Sequence, residues 1–391
     1  MLPVALSYAR NFFPHPQETC GVPMTADRSR STWSLHPVAI AALLVATGVA
    51  FLPVLRNGFV NWDDPAVIVN NQELGGPHAV RWAFTTTLIG HYQPLAWLAW
   101  SAVKSLFGLT PVPFHAVSLL VHLLNAVLVY MVAWRLTSLT MVGSRDRLLA
   151  AVMASVVFAV HPVRVEAVAW ASAFPYVLSL ALLLIAFLAY LESAIRDQSA
   201  IRNQSAIRNQ SAIRNQSAIH NQSAIHNKSA IRNPQSAIWF VLSIFSYAAS
   251  LLARASAIGF PFVLLIVDIY PLRRARTAPG RLLLEKLPFL AAAAAAVVVE
   301  SQAREVSSLQ EVPLGARITM AATAPFVYLA RTVWPVRLTP LDPLPIAPVV
   351  EWLPMVLALT AVVAVSIVVW KLRRQSPALG VAWTAYVLLL A

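Results

Sequence analysis

Apolar residues in this chain run together instead of alternating with polar ones. The stretch 37–55 (PVAIAALLVATGVAFLPVL) contains no charged residue, and comparable runs follow at 111–134, 174–191, 236–253, 255–272 and 352–370, with shorter ones at 148–160 and 287–299. A helix needs about 20 mainly apolar residues to cross a bilayer, so each long run predicts a membrane span. Strands of a membrane barrel would alternate over segments of about ten residues, and no such pattern is present. The expected fold is therefore all-α: a polytopic helical membrane protein with about 8–10 membrane helices, counting the shorter runs.

Composition agrees. Of 391 residues 58% are hydrophobic and only 12% charged, against roughly 25% charged in a soluble domain. The formal charge of +13 raises nucleic acid as a partner, but the Lys and Arg residues sit in short connections between apolar runs, as the positive-inside rule requires of cytoplasmic loops. Cys20 is the single cysteine, which excludes an internal disulfide and a cysteine-based metal site. Residues 1–36 are polar and mixed, too long and too weakly basic for the start of a cleaved signal. They read as a cytoplasmic segment followed by an uncleaved anchor at 37–55.

Counting from a cytoplasmic N-terminus puts loop 56–110 outside, Arg135, Arg145 and Arg147 inside, "HPVRVEAVAW" (161–170) outside, Arg254 outside, and Arg273, Arg274 and Arg276 inside. If both 287–299 and 317–335 then crossed, Lys371, Arg373 and Arg374 would lie outside, against the rule. The segment 317–335, with Arg317, Arg331 and a terminal Trp334-Pro335, is expected to lie at the outer interface or to re-enter it. The localisation this predicts is a bacterial cytoplasmic (inner) membrane, with the working face outside.

Between two spans the tripeptide Ser-Ala-Ile recurs at 193, 199, 205, 211, 217, 223, 229 and 236. One Ile in each short polar repeat cannot build a buried ladder, so 193–235 is expected to be a disordered, solvated cytoplasmic insert. Its five Asn-x-Ser sequons, at Asn203, Asn209, Asn215, Asn221 and Asn227, are irrelevant on that side.

Polar groups at the outer ends of the spans carry the candidate chemistry, because ionisable residues near lipid are costly and mark cavities or pathways. Trp62-Asp63-Asp64 comes first; Asp64-Pro65 also suits a turn and Trp62 an interface anchor. "HPVRVE" supplies His161, Arg164 and Glu166, which also reads as a helix start with Glu166 in the first turn. His91 lies in "HYQPLAWLAW", and Arg254 ends a span, as an anion-binding group or a snorkelling cation. His115 and His122 share a helix face but lie about 10 Å apart along its axis, so they read as packed, hydrogen-bonded histidines. Asp268 is expected to pair with the arginines that follow it.

The order of these motifs is more telling than any one of them. "VNWDDPAVIVNN", "WAFTTT", "HYQPLAWL", "FHAVSLLVHLLNAVL", "FAVHPVRVEAVAW", "LLARASAIGFPFVLLIVDIYPL" and "WPVRL" together resemble the membrane half of the transmembrane O-mannosyltransferases with tetratricopeptide repeats and their bacterial relatives, over roughly 56–391 without the insert. The resemblance implies a GT-C type glycosyltransferase that takes a sugar, mannose or a similar hexose, from a polyprenyl-phosphate carrier and passes it to a protein or glycan acceptor at the outer membrane face. It places the family's acidic pair on Asp63 and Asp64, its His-Pro-x-x-x-Glu motif on His161, Pro162 and Glu166, and its basic residue on Arg254. Asp63, Asp64 and Glu166 are then the catalytic candidates, and Trp62, His91, His161, Arg164 and Arg254 the substrate-binding ones. A divalent cation is an optional addition, with Asp64 as its ligand.

The chain departs from the relatives at "ASAFPYVLS", where a charged stretch is usual, and at Gln93, where a basic residue is common. It also stops at Ala391 inside an apolar run. The expected organisation is a cytoplasmic segment 1–36, a membrane domain 37–192 with its catalytic loop 56–110, the insert 193–235, and a membrane domain 236–391 that looks truncated. A transporter or lipid-handling protein, and an inactive truncated family member, stay open as alternatives.

Overall fold

The computed structural model describes residues 35–214, 234–276, 279–303, 314–336, 338 and 352–390. The N-terminal segment before Leu35, the rest of the repeat insert and most of 337–351 lie outside the described residues. Among the described residues there is no strand. The helices are α1 Leu35–Phe51, α2 Ala79–Thr85, α3 Pro94–Phe107, α4 Pro111–Thr140, α5 Ser144–Val160, α6 Arg164–Ala169, α7 Phe174–Arg214, α8 Pro234–Ala253, α9 Phe260–Ile269, α10 Pro279–Ala303, α11 Leu314–Val333, α12 Trp352–Leu372 and α13 Pro377–Leu390. The chain is a polytopic, all-helical membrane protein.

Proline sets many of these boundaries. Pro94, Pro111, Pro175, Pro234, Pro261, Pro279 and Pro377 sit in the first turn of their helices, where the missing N–H costs nothing and the fixed φ is already helical. Pro162 does the opposite for α5. The residue before a proline is pushed out of the α region, and the helix stops at Val160, with His161 extended.

Six helices are long and apolar enough to cross a membrane: Leu35–Arg56 (α1 and its 3-10 continuation), α4, Ala171–Ile201, α8, α10 and Met355–Leu372. The expected 8–10 is approached only when shorter helices are counted, such as α9 and α13. Three sequence expectations change in detail. The run 255–272 is not one long helix, because a turn occupies 254–259 and only ten residues, Phe260–Ile269, are helical; ten residues span about 15 Å, half of the roughly 30 Å hydrocarbon core. The short run 287–299 lies inside a 25-residue helix with Pro288 within it. The repeat is helical from Ser193 to Arg214, where an irregular segment was expected. The helix Leu314–Val333, which covers most of the segment 317–335 expected at the interface, is not among the six spans.

The first repeat unit belongs to the folded bundle. Ser193 Oγ donates to the Ser236 carbonyl at 2.7 Å, Gln198 Nε2 donates to the Leu272 carbonyl at 2.7 Å, and Asp197 is buried. The first bond holds the middle of α7 beside the start of α8, along which it packs, and the second ties α7 to the turn after α9. Nearby, Asp268 meets Arg274 at 3.0 Å, as expected, and also Lys286 Nζ at 2.6 Å.

Four apolar clusters lie within the described bundle, and the two largest bear on the site. One gathers Trp97, Trp100, Phe114 and Phe174 under the 57–110 loop. The other packs Tyr190, Tyr247, Phe260, Leu264 and Phe289 between α7, α8, α9 and α10. The first cluster holds the loop carrying the aspartate pair against the N-terminal ends of α4 and α7.

Candidate active site

The two aspartates divide sharply. Asp64 is fully buried; its Oδ2 accepts the Val60 N–H at 2.7 Å and its Oδ1 the Ser172 N–H at 2.9 Å. One carboxylate therefore ties the loop to itself and to the turn before α7, 108 residues away. Asp63 is only half-buried. Its carboxyl is raised above the ordinary aspartate range, first by burial and then by the neighbouring Asp64 charge, while His91 and Arg254 pull it back down. A carboxylate with a raised pKa is a better proton acceptor near neutral pH. Trp62 is 59% exposed beside it, as an interface anchor would be.

His91 and Arg254 line a polar cleft of about 790 Å³ together with Thr87, Gly90, Tyr176 and Ala303. The Arg254 guanidinium lies over the Tyr176 ring, 3.8 Å from its centroid; Nη2 donates to the Tyr176 hydroxyl at 2.7 Å and Nη1 to Gln93 Oε1 at 3.3 Å. Gln93, a departure from the family pattern, is thus a buried neutral acceptor that steers this arginine. His91 Nδ1 meets Glu300 Oε1 at 3.1 Å. Beyond Glu300 an apolar groove of about 220 Å³ opens between α8 and α10, floored by Ala248, Ala255, Ala292 and Ala296 and bounded by Tyr92. A polar pocket and an apolar trough therefore meet at the His91–Glu300 pair.

The His-Pro-x-x-x-Glu segment lies elsewhere. His161 Nδ1 accepts the Val163 N–H at 3.2 Å, so its Nε2–H donates to the Thr332 carbonyl at 2.8 Å, in the last turn of α11. Arg164 places its guanidinium 4.7 Å from the Phe158 ring centroid, with Nε buried and without a hydrogen-bond partner. Glu166 is exposed on α6. None of these three is among the side chains lining the polar cleft. The structure thus brings His91 and Arg254 together in the cleft, leaves Asp63 outside its lining but within reach of both charges, gives Asp64 a tethering position, and sets His161, Arg164 and Glu166 apart.

A cation at Asp64 would compete with two backbone N–H groups for a carboxylate that solvent does not reach. Among the described residues no cluster of three or more His, Cys, Asp and Glu side chains could hold a metal ion. His115 and His122 each engage a carbonyl, Gly58 at 3.3 Å and Ala159 at 2.9 Å, and are packed as expected. Sequence reasoning missed Tyr176 and Glu300. Glu300 did leave a signal, since it closes the apolar run of α10 and an ionisable group at that depth marks a site.

Fold and cleft together define an all-helical membrane protein with a histidine and an arginine lining one polar pocket at a helix-bundle end and a half-buried aspartate within their electrostatic reach. Comparison with known proteins gives this class its likeness. The chain is 36% identical over 181 residues to the protein O-mannosyl-transferase TMTC1 of Mus musculus, 35% over 172 residues to that of Homo sapiens, and 31% over 151 residues to Tmtc1 of Drosophila melanogaster. These matches cover 43%, 41% and 36% of this chain but only 18%, 18% and 17% of the relatives. The chain thus spans less than a fifth of the length of these relatives. No family model and no solved structure matches it.

Proposed function

We propose that this protein is a membrane glycosyltransferase that moves mannose or a similar hexose from a polyprenyl-phosphate carrier to a protein or glycan acceptor at the outer membrane face. The observation that carries this reading is the junction of the polar cleft with the apolar groove. The groove offers alanine-lined apolar surface to a prenyl chain, and the cleft offers Arg254, held by the neutral groups of Tyr176 and Gln93, to the phosphate. In the transfer step the acceptor hydroxyl oxygen bonds to the anomeric carbon as the carbon–oxygen bond to phosphate breaks. The hydroxyl proton passes to Asp63, and the polyprenyl phosphate leaves with the bonding pair, its charge met by Arg254. Asp64 holds the loop in register. Helix directions support the outer placement, since the cleft lies at the bundle end opposite Arg135, Arg274 and Arg281, a distribution the positive-inside rule favours.

The test is transfer by the purified protein from polyprenyl-phosphate [14C]mannose to a serine- and threonine-containing peptide. The parent chain labels the peptide, and Asp63→Asn lowers the rate by about 10²–10⁴, the usual share of a general base, while polyprenyl phosphate still binds. Transfer by Asp63→Asn at the parent rate would refute the assignment.

A further inference from the structure

Glu300 sits four residues from the C-terminal end of α10, counting Ala303 as the last. The carbonyl end of a helix carries partial negative charge, so a carboxylate there is electrostatically misplaced. Its side chain is only 12% exposed, and burying a carboxylate is costly unless a donor meets it. One such donor is His91 Nδ1 at 3.1 Å, supplied from a segment 209 residues away in sequence. That segment is shaped for the purpose. Ile89 (φ 48°) and Gly90 (φ 74°) are both left-handed immediately before His91, a backbone state that a β-branched residue such as isoleucine rarely adopts and that is found where surrounding structure enforces it.

We infer that Glu300 is a positioning residue: it holds the His91 imidazole by Nδ1 so that the ring edge carrying Nε2 faces the cleft and meets a phosphate oxygen of the lipid-linked donor. This rests on the donor class proposed above. An ionised carboxylate only accepts hydrogen bonds, so Nδ1 must carry the proton toward Glu300. The ring's contact with the cleft, which His91 lines beside Arg254 and Tyr176, is then made through the opposite edge. Carboxylate-to-imidazole contacts of this kind fix both tautomer and ring orientation. Glu300 also lies at the lip of the apolar groove, so the same side chain that orients the imidazole stands where prenyl chain gives way to phosphate.

The experiment combines a double-mutant cycle with a spectrum. Binding of polyprenyl phosphate in detergent is measured for the parent chain, Glu300→Gln, Glu300→Leu, His91→Ala and the double variant His91→Ala/Glu300→Leu, each confirmed as monodisperse. Glu300→Gln keeps an acceptor for Nδ1–H and stays within about threefold of the parent; Glu300→Leu and His91→Ala each weaken binding about tenfold, the scale of one hydrogen bond to a charged group. In the His91→Ala background Glu300→Leu changes nothing further, because a residue acting only through another is non-additive with it. A second tenfold loss there would overturn the inference, as would parent-like binding by Glu300→Leu. Independently, 15N-histidine spectra place the proton of neutral His91 on Nδ1 in the parent and mix the tautomers in Glu300→Leu; identical spectra would also overturn it. A parent chain that binds no polyprenyl phosphate would defeat the donor reading, and the imidazole spectrum would still decide the positioning of His91.

Discussion

Replacing each aspartate of the opening pair separates tethering from chemistry. Asp64 accepts two backbone N–H groups while fully buried. Asp64→Ala leaves both donors unpaired at about 1–3 kcal/mol each, so about 2–6 kcal/mol of local stability is lost. Asp64→Asn is nearly isosteric but fails almost as badly. One of its two positions becomes an NH2 facing a backbone N–H, so one charge-assisted bond is lost and a donor meets a donor. Asp63→Asn behaves in the opposite way. The folded-state pKa of Asp63 is raised, so between the unfolded and folded values the native state binds more protons, and stability falls as pH climbs through that window. At neutral pH the aspartate is therefore a mild liability to the fold, and asparagine removes it. The expected melting order in detergent, followed by tryptophan fluorescence at neutral pH, is Asp63→Asn equal to or above the parent, and both Asp64 variants well below it. Hydrogen exchange at Ser172 should rise in the Asp64 variants alone. An Asp64→Asn protein melting with the parent, or an Asp63→Asn protein melting far below it, would refute this division.

Transfer should fall as pH drops through the raised Asp63 value, leaving an acidic limb above the ordinary aspartate range, and Asp63→Asn should lose that limb along with most of the rate; the check is a pH–rate profile of both. Arg254→Lys should weaken polyprenyl phosphate binding almost as much as Arg254→Ala, since an ammonium cannot serve Tyr176 and Gln93 with one planar fork, measured by direct binding in detergent. Deleting 203–232 should leave the melting temperature unchanged, because the bonds joining α7 to α8, Ser193 to Ser236 and Arg196 to Gln235, are kept. Asp268→Asn should cost about 3–5 kcal/mol, the usual penalty for stranding a buried charge, seen as a lowered melting temperature rescued in part by Lys286→Met.

The sequence made the helical class and most spans legible because an apolar run long enough to cross a bilayer has few other uses. It misjudged 255–272 because hydrophobicity says nothing about the turn through Ser256 and Gly259 that confines α9 to ten residues. It underestimated α10 because the charged Glu285 and Lys286 interrupt the apolar pattern just before 287–299. In the structure Glu285 meets Arg274 at 2.9 Å and Lys286 meets Asp268 at 2.6 Å, so these charges are buried inside the bundle. The acidic pair, His91 and Arg254 could be picked out one by one, as polar groups at span ends. Their mutual arrangement could not, since Gln93 and Arg254 are 161 residues apart and His91 and Glu300 209. The insert misled both in being helical to Arg214 and in its first unit, which is packed into the bundle. The first unit differs from those after it in having Asp197 where they have asparagine, and that aspartate meets Arg281 at 2.9 Å.

Charge is used differently at the two ends of the bundle, and the difference bears on which end works. At the end opposite the cleft Asp197, Asp268 and Glu285 face Arg274, Arg281 and Lys286, three acids against three bases, and all but Arg281 are buried. Tyr190 adds its hydroxyl to the same network, donating to Asp268 and accepting from Lys286. Such a balanced, mutually satisfied cluster clamps α7, α9 and α10 but has little left to offer a ligand, because every change there strands a charge. At the cleft end the arginine leans on a phenol and an amide, Asp63 is half-exposed, and the lining groups surround about 790 Å³ of open space. A phosphate entering that cleft would meet a guanidinium already oriented by the Tyr176 hydroxyl and the Gln93 amide oxygen. The charge network can thus hold the helices rigid while the cleft groups at the opposite end remain disposed toward a substrate, which is the preorganisation that electrostatic stabilisation of a leaving phosphate requires.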